Sequence, residues 1–166
     1  MKVFKDLISG DEFFSDSYPH ELICEDAGIE AMAKYVTKGA EHIDIGCHDE
    51  EEEEVAGETV IDIQDKFALN EIQGWSKAEF MQWAKAYLAK IIAKLTEQGK
   101  EDRIPGFKRG ATQMIKMIVG KWSEMQIFCG EKMDYEGALC FAYQKNQEDE
   151  GPTFIFFKDG FKEMKY

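Results

Sequence analysis

A chain of 166 residues that is 44% apolar and 13% aromatic has enough material for one hydrophobic core. It has no run near the roughly 20 apolar residues of a bilayer-spanning helix, and Met1-Lys2-Val3-Phe4-Lys5-Asp6 is no secretory apolar stretch, so one domain over residues 1–166 in the cytoplasm is expected. The net charge of −13 disfavours nucleic acid as a partner, because nonspecific affinity for it comes from phosphate neutralisation.

In chain order, Lys2 to Ile8 and Glu30 to Lys38 read as short strands, with turn chemistry at Ser9-Gly10-Asp11-Glu12 and Asp26-Ala27-Gly28. Between Lys38 and Thr59 apolar periodicity fails. Gly39, Gly46 and Gly57 surround the acidic run Asp49-Glu50-Glu51-Glu52-Glu53-Glu54, and a mobile loop over about residues 39–58 is predicted. Thr59-Val60-Ile61-Asp62-Ile63 resumes a strand-like pattern that runs on through Phe67, Leu69 and Ile72.

From Ser76, apolar residues recur at helical spacing: Phe80, Trp83, Ala84, Tyr87, Leu88, Ile91, Ile92 and Leu95. Ser76 and Glu79 supply a capping box at the start, and Gly99 ends the helix. A second stripe, Phe107, Ala111, Met114, Ile115, Ile118 and Trp122, completes an antiparallel helical hairpin over about residues 76–122. Strands return at Gln126 to Cys129, Ala138 to Tyr143 and Thr153 to Phe157. Strands, hairpin, strands is the order of an α+β domain with a mostly antiparallel core.

Charge follows the same division. Residues 1–75 hold 5 basic and 20 acidic side chains, residues 76–122 hold 10 and 4, and residues 123–166 hold 5 and 9. Lys77, Lys85, Lys90 and Lys94 therefore mark the hairpin as a surface for acidic partners, or as a solvated helix face that keeps the chain soluble.

Catalytic chemistry is hard to place. Two of the three histidines, His42 and His48, sit in the predicted loop, which cannot hold a general base in position, and no nucleophile elbow or phosphate-binding glycine motif is present. Cys24, Cys47, Cys129 and Cys140 contain no C-x-x-C pair and read as reduced thiols. His42, Cys47 and His48 do not match a zinc spacing. Glu50, Glu51, Glu52, Glu53 and Glu54 lack the alternation of an EF-hand, so the run supports weak, diffuse Ca²⁺ binding or simply a solvated acidic loop. No obligatory cofactor is expected, and the chain reads as a non-enzyme.

Three separated motifs are more specific: Asp6-Leu7-Ile8-Ser9-Gly10-Asp11-Glu12-Phe13-Phe14-Ser15-Asp16, Ile127-Phe128-Cys129-Gly130-Glu131 with Gly137 downstream, and Ile155-Phe156-Phe157-Lys158-Asp159-Gly160. Together, and in this order, they resemble the translationally controlled tumour protein family over essentially the whole chain. The resemblance implies a β-tent core related to a zinc-bearing chaperone of Rab GTPases, a protruding helical hairpin and a long mobile acidic loop. It implies a multi-partner regulator of growth, translation and survival, binding small GTPases such as Rheb, elongation factors, tubulin, Bcl-family proteins and Ca²⁺. Carried over by motif, Glu12 and Glu131 are the GTPase-facing carboxylates. Each could instead cap a backbone N–H, Glu12 in its turn and Glu131 at a strand end. Ile45-Gly46-Cys47-His48-Asp49-Glu50 keeps only the opening Ile-Gly and an acid of the family's loop signature, with no serine between Lys38 and Thr59, so loop phosphorylation is not expected. The ending Met164-Lys165-Tyr166 lacks the cysteine used in some relatives' disulfide dimers, and a monomer is expected. The resemblance adds non-classical secretion to the expected cytoplasmic location.

Overall fold

The computed structural model describes residues 1–38 and 58–165. The chain opens with five short strands, β1 (Lys2–Asp6), β2 (Glu12–Ser15), β3 (His20–Ile23), β4 (Gly28–Met32) and β5 (Tyr35–Lys38). After residues 39–57 come β6 (Glu58–Ile61), a short helix α1 (Asp62–Phe67) and β7 (Asn70–Ile72). The hairpin helices α2 (Lys77–Glu97) and α3 (Ile104–Gly120) follow, and then β8 (Gln126–Cys129), β9 (Cys140–Tyr143), β10 (Thr153–Phe157) and β11 (Phe161–Lys165). All strand pairs among the described residues are antiparallel: a six-stranded sheet in the order β3-β4-β10-β9-β8-β7, a three-stranded sheet β11-β1-β2 and a two-stranded β5-β6 hairpin.

β10 explains the layering. All five of its side chains are buried, and successive strand side chains point to opposite faces, so this strand needs cover on both sides. On one face Phe157 meets Trp83 and Tyr87 of α2, with ring centroids 6.0 and 5.9 Å away. On the other, Phe156 meets Phe14 of β2 at 5.1 Å and Phe161 of β11 at 6.2 Å. The large sheet is thus sandwiched between the helical hairpin and the small sheet. The apolar run of β10 lacks alternation because no face of it reaches water.

The hairpin forms as its pattern dictates. The Ser76 Oγ accepts from the Glu79 N–H at 3.2 Å, and the Glu79 carboxylate accepts from the Ser76 N–H at 3.0 Å, completing the capping box. Phe80, Trp83, Ala84, Tyr87, Ile91 and Leu95 of α2 and Phe107, Ala111, Met114 and Ile118 of α3 are buried. At the bend, a 3-10 turn at Glu101–Arg103 carries the Arg103 guanidinium onto Asp159, donating two bonds of 3.0 Å, with a third of 3.1 Å to the Glu25 carbonyl. This planar fork ties the hairpin tip to both the β3–β4 and β10–β11 connections.

The structure departs from the sequence reading in several places. The strand-like run from Thr59 breaks after Ile61 into α1, because Ile63 and Phe67, four apart, are both buried, and the Asp62 carboxylate accepts from the Ile63 and Lys34 N–H groups. Glu30 to Lys38 is not one strand: β4 ends at Met32, where the chain leaves the large sheet, and β5 pairs with β6 instead. Glu12 is not a turn residue; it opens β2 opposite Lys5 of β1. α3 ends at Gly120, and Trp122 packs on Phe80 from the following turn, at 5.4 Å. Of the predicted acidic loop, residues 39–57, with Glu50 to Glu54, His42, Cys47 and His48, lie outside the described residues, and Glu58 at its end is in β6, paired with Lys38 of β5.

Candidate functional site

Two buried carboxylates organise the connections between the sheets. Asp6, 2% exposed, ends β1 and accepts from the Ile8 and Ser9 N–H groups, the Ser9 hydroxyl and the Ala138 N–H, at 3.0, 3.2, 2.6 and 2.8 Å. Asp11, on the chain's return into β2, accepts from the Lys132 N–H at 3.0 Å. The segment 6–12 is thereby sewn to residues 130–138, one segment from each large motif.

The segment 130–137 is a turn held at both ends. At its start, the Gly130 carbonyl accepts from the Asn70 amide at 3.1 Å and from the Met133 N–H at 3.0 Å. A Cβ at Gly130 would stand 2.5 Å from the Asp11 carboxylate, and one at Gly137 would stand 2.5 Å from the Asp6 carboxylate, so both positions require glycine for close approach. At its end, the Gly137 carbonyl accepts from the Trp83 indole at 3.1 Å, and the Glu136 carbonyl accepts from the Lys90 ammonium at 2.9 Å. The Lys132 ammonium folds back onto the Ser9 carbonyl at 2.9 Å.

Glu12 and Glu131 both stand exposed on this framework. Neither side chain makes a hydrogen bond or ion pair with another described residue, so the capping role open to them in the sequence belongs to their neighbours Asp6 and Asp11. Glu12 lines a groove of about 480 Å³ together with Met1, Val3, Tyr18, Lys66 and Phe67. The structure joins the segments that carry the two glutamates; it does not pair the glutamates themselves.

The four hairpin lysines divide. Lys77 and Lys85 are exposed, and Lys94 is half-buried, none with an ion-pair partner among the described residues. Lys90 is engaged internally, its ammonium on the Glu136 carbonyl and 3.7 Å from the Glu136 carboxylate. Helical spacing places Lys77 and Lys85 away from the side of Lys90 and Lys94. Of the described cysteines, Cys140 is fully enclosed in β9, and burial pushes its thiol well above the usual range. Among the described residues no His, Cys, Asp or Glu cluster has the arrangement of a metal site, and no helix is long and apolar enough to cross a membrane.

Sequence reasoning missed Asp6, Asp11, Lys132 and Trp83 as the parts that fix the turn. The signal was present in the glycines at 130 and 137, whose lack of a side chain marks close approach. The partners that approach them are 119 or more residues distant in sequence and leave no local trace.

Fold and site together define an α+β protein in which two antiparallel sheets and a docked helical hairpin present a pinned acidic turn. The family model described as translationally controlled tumour protein matches residues 1–162, and the chain belongs to that family. The translationally controlled tumor protein homologs of Theileria parva and Mycosarcoma maydis are 33% identical over the whole of both chains and 36% identical over 99% of both. The translationally controlled tumor-associated protein p23fyp of Schizosaccharomyces pombe has the same fold, with a TM-score of 0.79 at 30% identity and full coverage of both chains. The corresponding Caenorhabditis elegans protein, at 22% identity over 100% of this chain and 99% of its own, shares the fold with a TM-score of 0.68. Membership places the chain among regulatory proteins that bind other proteins; the family is not known as a family of enzymes.

Proposed function

We propose that this chain is a non-catalytic cytoplasmic regulator that binds a small GTPase or a translation elongation factor through the seam between residues 6–12 and 130–137, with Glu12 and Glu131 as the contacting carboxylates. The observation that carries this reading is the contrast within the seam. Asp6 and Asp11 are buried and hydrogen-bonded to backbone N–H groups, while Glu12 and Glu131, one residue from Asp11 and from the Asp11-contacting Gly130, are exposed without a side-chain partner among the described residues. Carboxylates on a rigid base meet a Lys or Arg of a partner at little ordering cost, or compete for position beside a nucleotide's Mg²⁺.

The hairpin lysines are the second surface, facing tubulin or another acidic protein, with Lys77 and Lys85 in contact, Lys94 on the other side of the helix and Lys90 retained in its bond to Glu136. Weak Ca²⁺ binding by Glu50 to Glu54 is a third property, motivated by the density of carboxylates in that run. One calorimetric series tests all three. Purified Rheb-type GTPase, elongation factor, tubulin and Ca²⁺ are titrated into the parent chain and into variants Glu12→Gln/Glu131→Gln, Lys77→Glu/Lys85→Glu and Glu50 to Glu54→Gln. The first variant weakens only GTPase or elongation-factor binding, by about tenfold or more; the second weakens only tubulin binding, and in the parent that contact fades as salt rises above roughly 0.1 M; the third removes the Ca²⁺ heat. Affinities and heats unchanged by a variant would remove its residues from the corresponding role.

A further inference from the structure

The pinned turn exposes more than Glu131. Met133 and Tyr135 are 51% and 43% exposed, two of the eight large apolar side chains that the described surface leaves open to this degree. Met133 also sits in the left-handed backbone region, φ 57°, a conformation that a side chain of this size rarely adopts and that glycine would adopt freely. Local strain of this kind persists only where the surroundings impose it, and such strain concentrates where a chain contacts something. The surroundings here are explicit: the Met133 N–H is held by the Gly130 carbonyl, and the flanks of the turn by Asp11, Asn70, Trp83 and Lys90.

The charge around the two side chains is one-sided. Glu131, Asp134 and Glu136 lie in the same turn, and the turn's single cation, Lys132, directs its ammonium back to the Ser9 carbonyl. Lys90 reaches the turn from α2 but is taken up by Glu136. Outward, the turn therefore offers two apolar side chains within an acidic border, held in place before any partner arrives. Interfaces concentrate their affinity in a few such apolar anchors, surrounded by a polar rim that sets orientation.

We propose that Met133 and Tyr135 are the apolar anchors of this turn, inserting into an apolar pocket bordered by Lys or Arg on a protein partner. The acidic border selects that partner and argues against an anionic membrane, which would repel it. The inference rests on the reading of the seam as the partner-binding surface and assigns the contact energy within it: carboxylates for orientation and rate, Met133 and Tyr135 for holding.

Isothermal titration of the purified Rheb-type GTPase and of the elongation factor into the full chain tests it, with variants Met133→Gly, Tyr135→Ala and Glu12→Gln/Glu131→Gln, each checked for melting temperature and, by sedimentation, for self-association. The expected result is an affinity loss of about tenfold or more for Met133→Gly and for Tyr135→Ala. Met133→Gly melts at the parent temperature or above it, since glycine accepts the left-handed backbone. That pairing of weaker binding with undiminished stability is not produced by a purely structural methionine. Binding weakened by the glutamate variant but not by Met133→Gly or Tyr135→Ala overturns the anchors and leaves the seam reading standing. Binding weakened by Met133→Gly and Tyr135→Ala alone supports the anchors and overturns the role of the carboxylates. A parent chain that binds neither protein overturns both, and a parent dimer that Met133→Gly dissolves assigns the anchors to a second copy and overturns the proposal.

Discussion

Single residues in this chain show how position decides chemistry. Asp6, Asp11, Glu12 and Glu131 are all carboxylates of the same two motifs, yet the first two are structural and the last two are open. Asp6 satisfies four donors from a site with almost no exposure, so truncating it would strand backbone N–H groups away from water. Cys140 is an inverse case, a titratable group with no counter-charge. Burial raises its thiol well above its ordinary value of 9.0. A group whose pKa is higher in the folded state holds its proton there while the unfolded chain loses it, so its contribution is complete below pH 9 and is lost as pH rises above it. Denaturant titrations at pH 7, 9 and 10 are expected to show stability falling above pH 9, and Cys140→Ala is expected to flatten that fall, at a neutral-pH cost of about 1 kcal/mol. An unchanged slope in Cys140→Ala would contradict the assignment.

Elements differ in how much of themselves they write into sequence. α2 was fully legible because its 21 residues repeat an apolar stripe through several turns, and because Ser76 and Glu79 mark its first turn with a specific pair of hydrogen bonds. α1 was not legible: six residues supply only one apolar i, i+4 pair, and its Ile63 alternates with the preceding Ile61 as in a strand. β2 escaped because Phe13 and Phe14 are both buried, against Phe161 and Phe156 on different elements, so the period of two is hidden by cover on both faces. β3, three of its four residues exposed at the sheet edge, carries no apolar pattern to find. The clasp at the hairpin tip was equally invisible, since Arg103 and Asp159 are 56 residues apart. Asp159 raises the Arg103 pKa through the fork of hydrogen bonds they share. Arg103→Lys keeps the charge and loses the fork. Its expected cost is about 1 kcal/mol, with the Asp159 carboxylate only 11% exposed, and hydrogen exchange should quicken around residues 99–106. Parent-like exchange there would show that the tip is held by packing alone.

At the scale of the molecule, three motifs that lie far apart in the chain turn out to be one assembly. The first motif holds the last residue of β1, the connection to β2 and β2 itself; the second holds most of β8 and enters the 130–137 turn; the third holds the end of β10 and the turn that receives Arg103. Their order in the sequence pointed to the family, and the fold shows why they belong together: Asp6 and Asp11 fasten the first to the second, and Phe14 and Phe156 pack the first on the third at 5.1 Å. Which carboxylates would be buried and which free could not be read from the motifs, because that depends on contacts across more than a hundred residues. Charge follows this architecture, with the basic hairpin layer and the acidic seam on different elements.

The most direct test of a partner-binding seam is an exchange footprint. Amide hydrogen exchange of the full chain is measured alone and with saturating purified GTPase or elongation factor. The account predicts added protection in residues 8–13 and 130–137, with the amides of α2 and α3 unchanged; protection confined to the hairpin, or none at either segment of the seam in a complex shown to form, would contradict it.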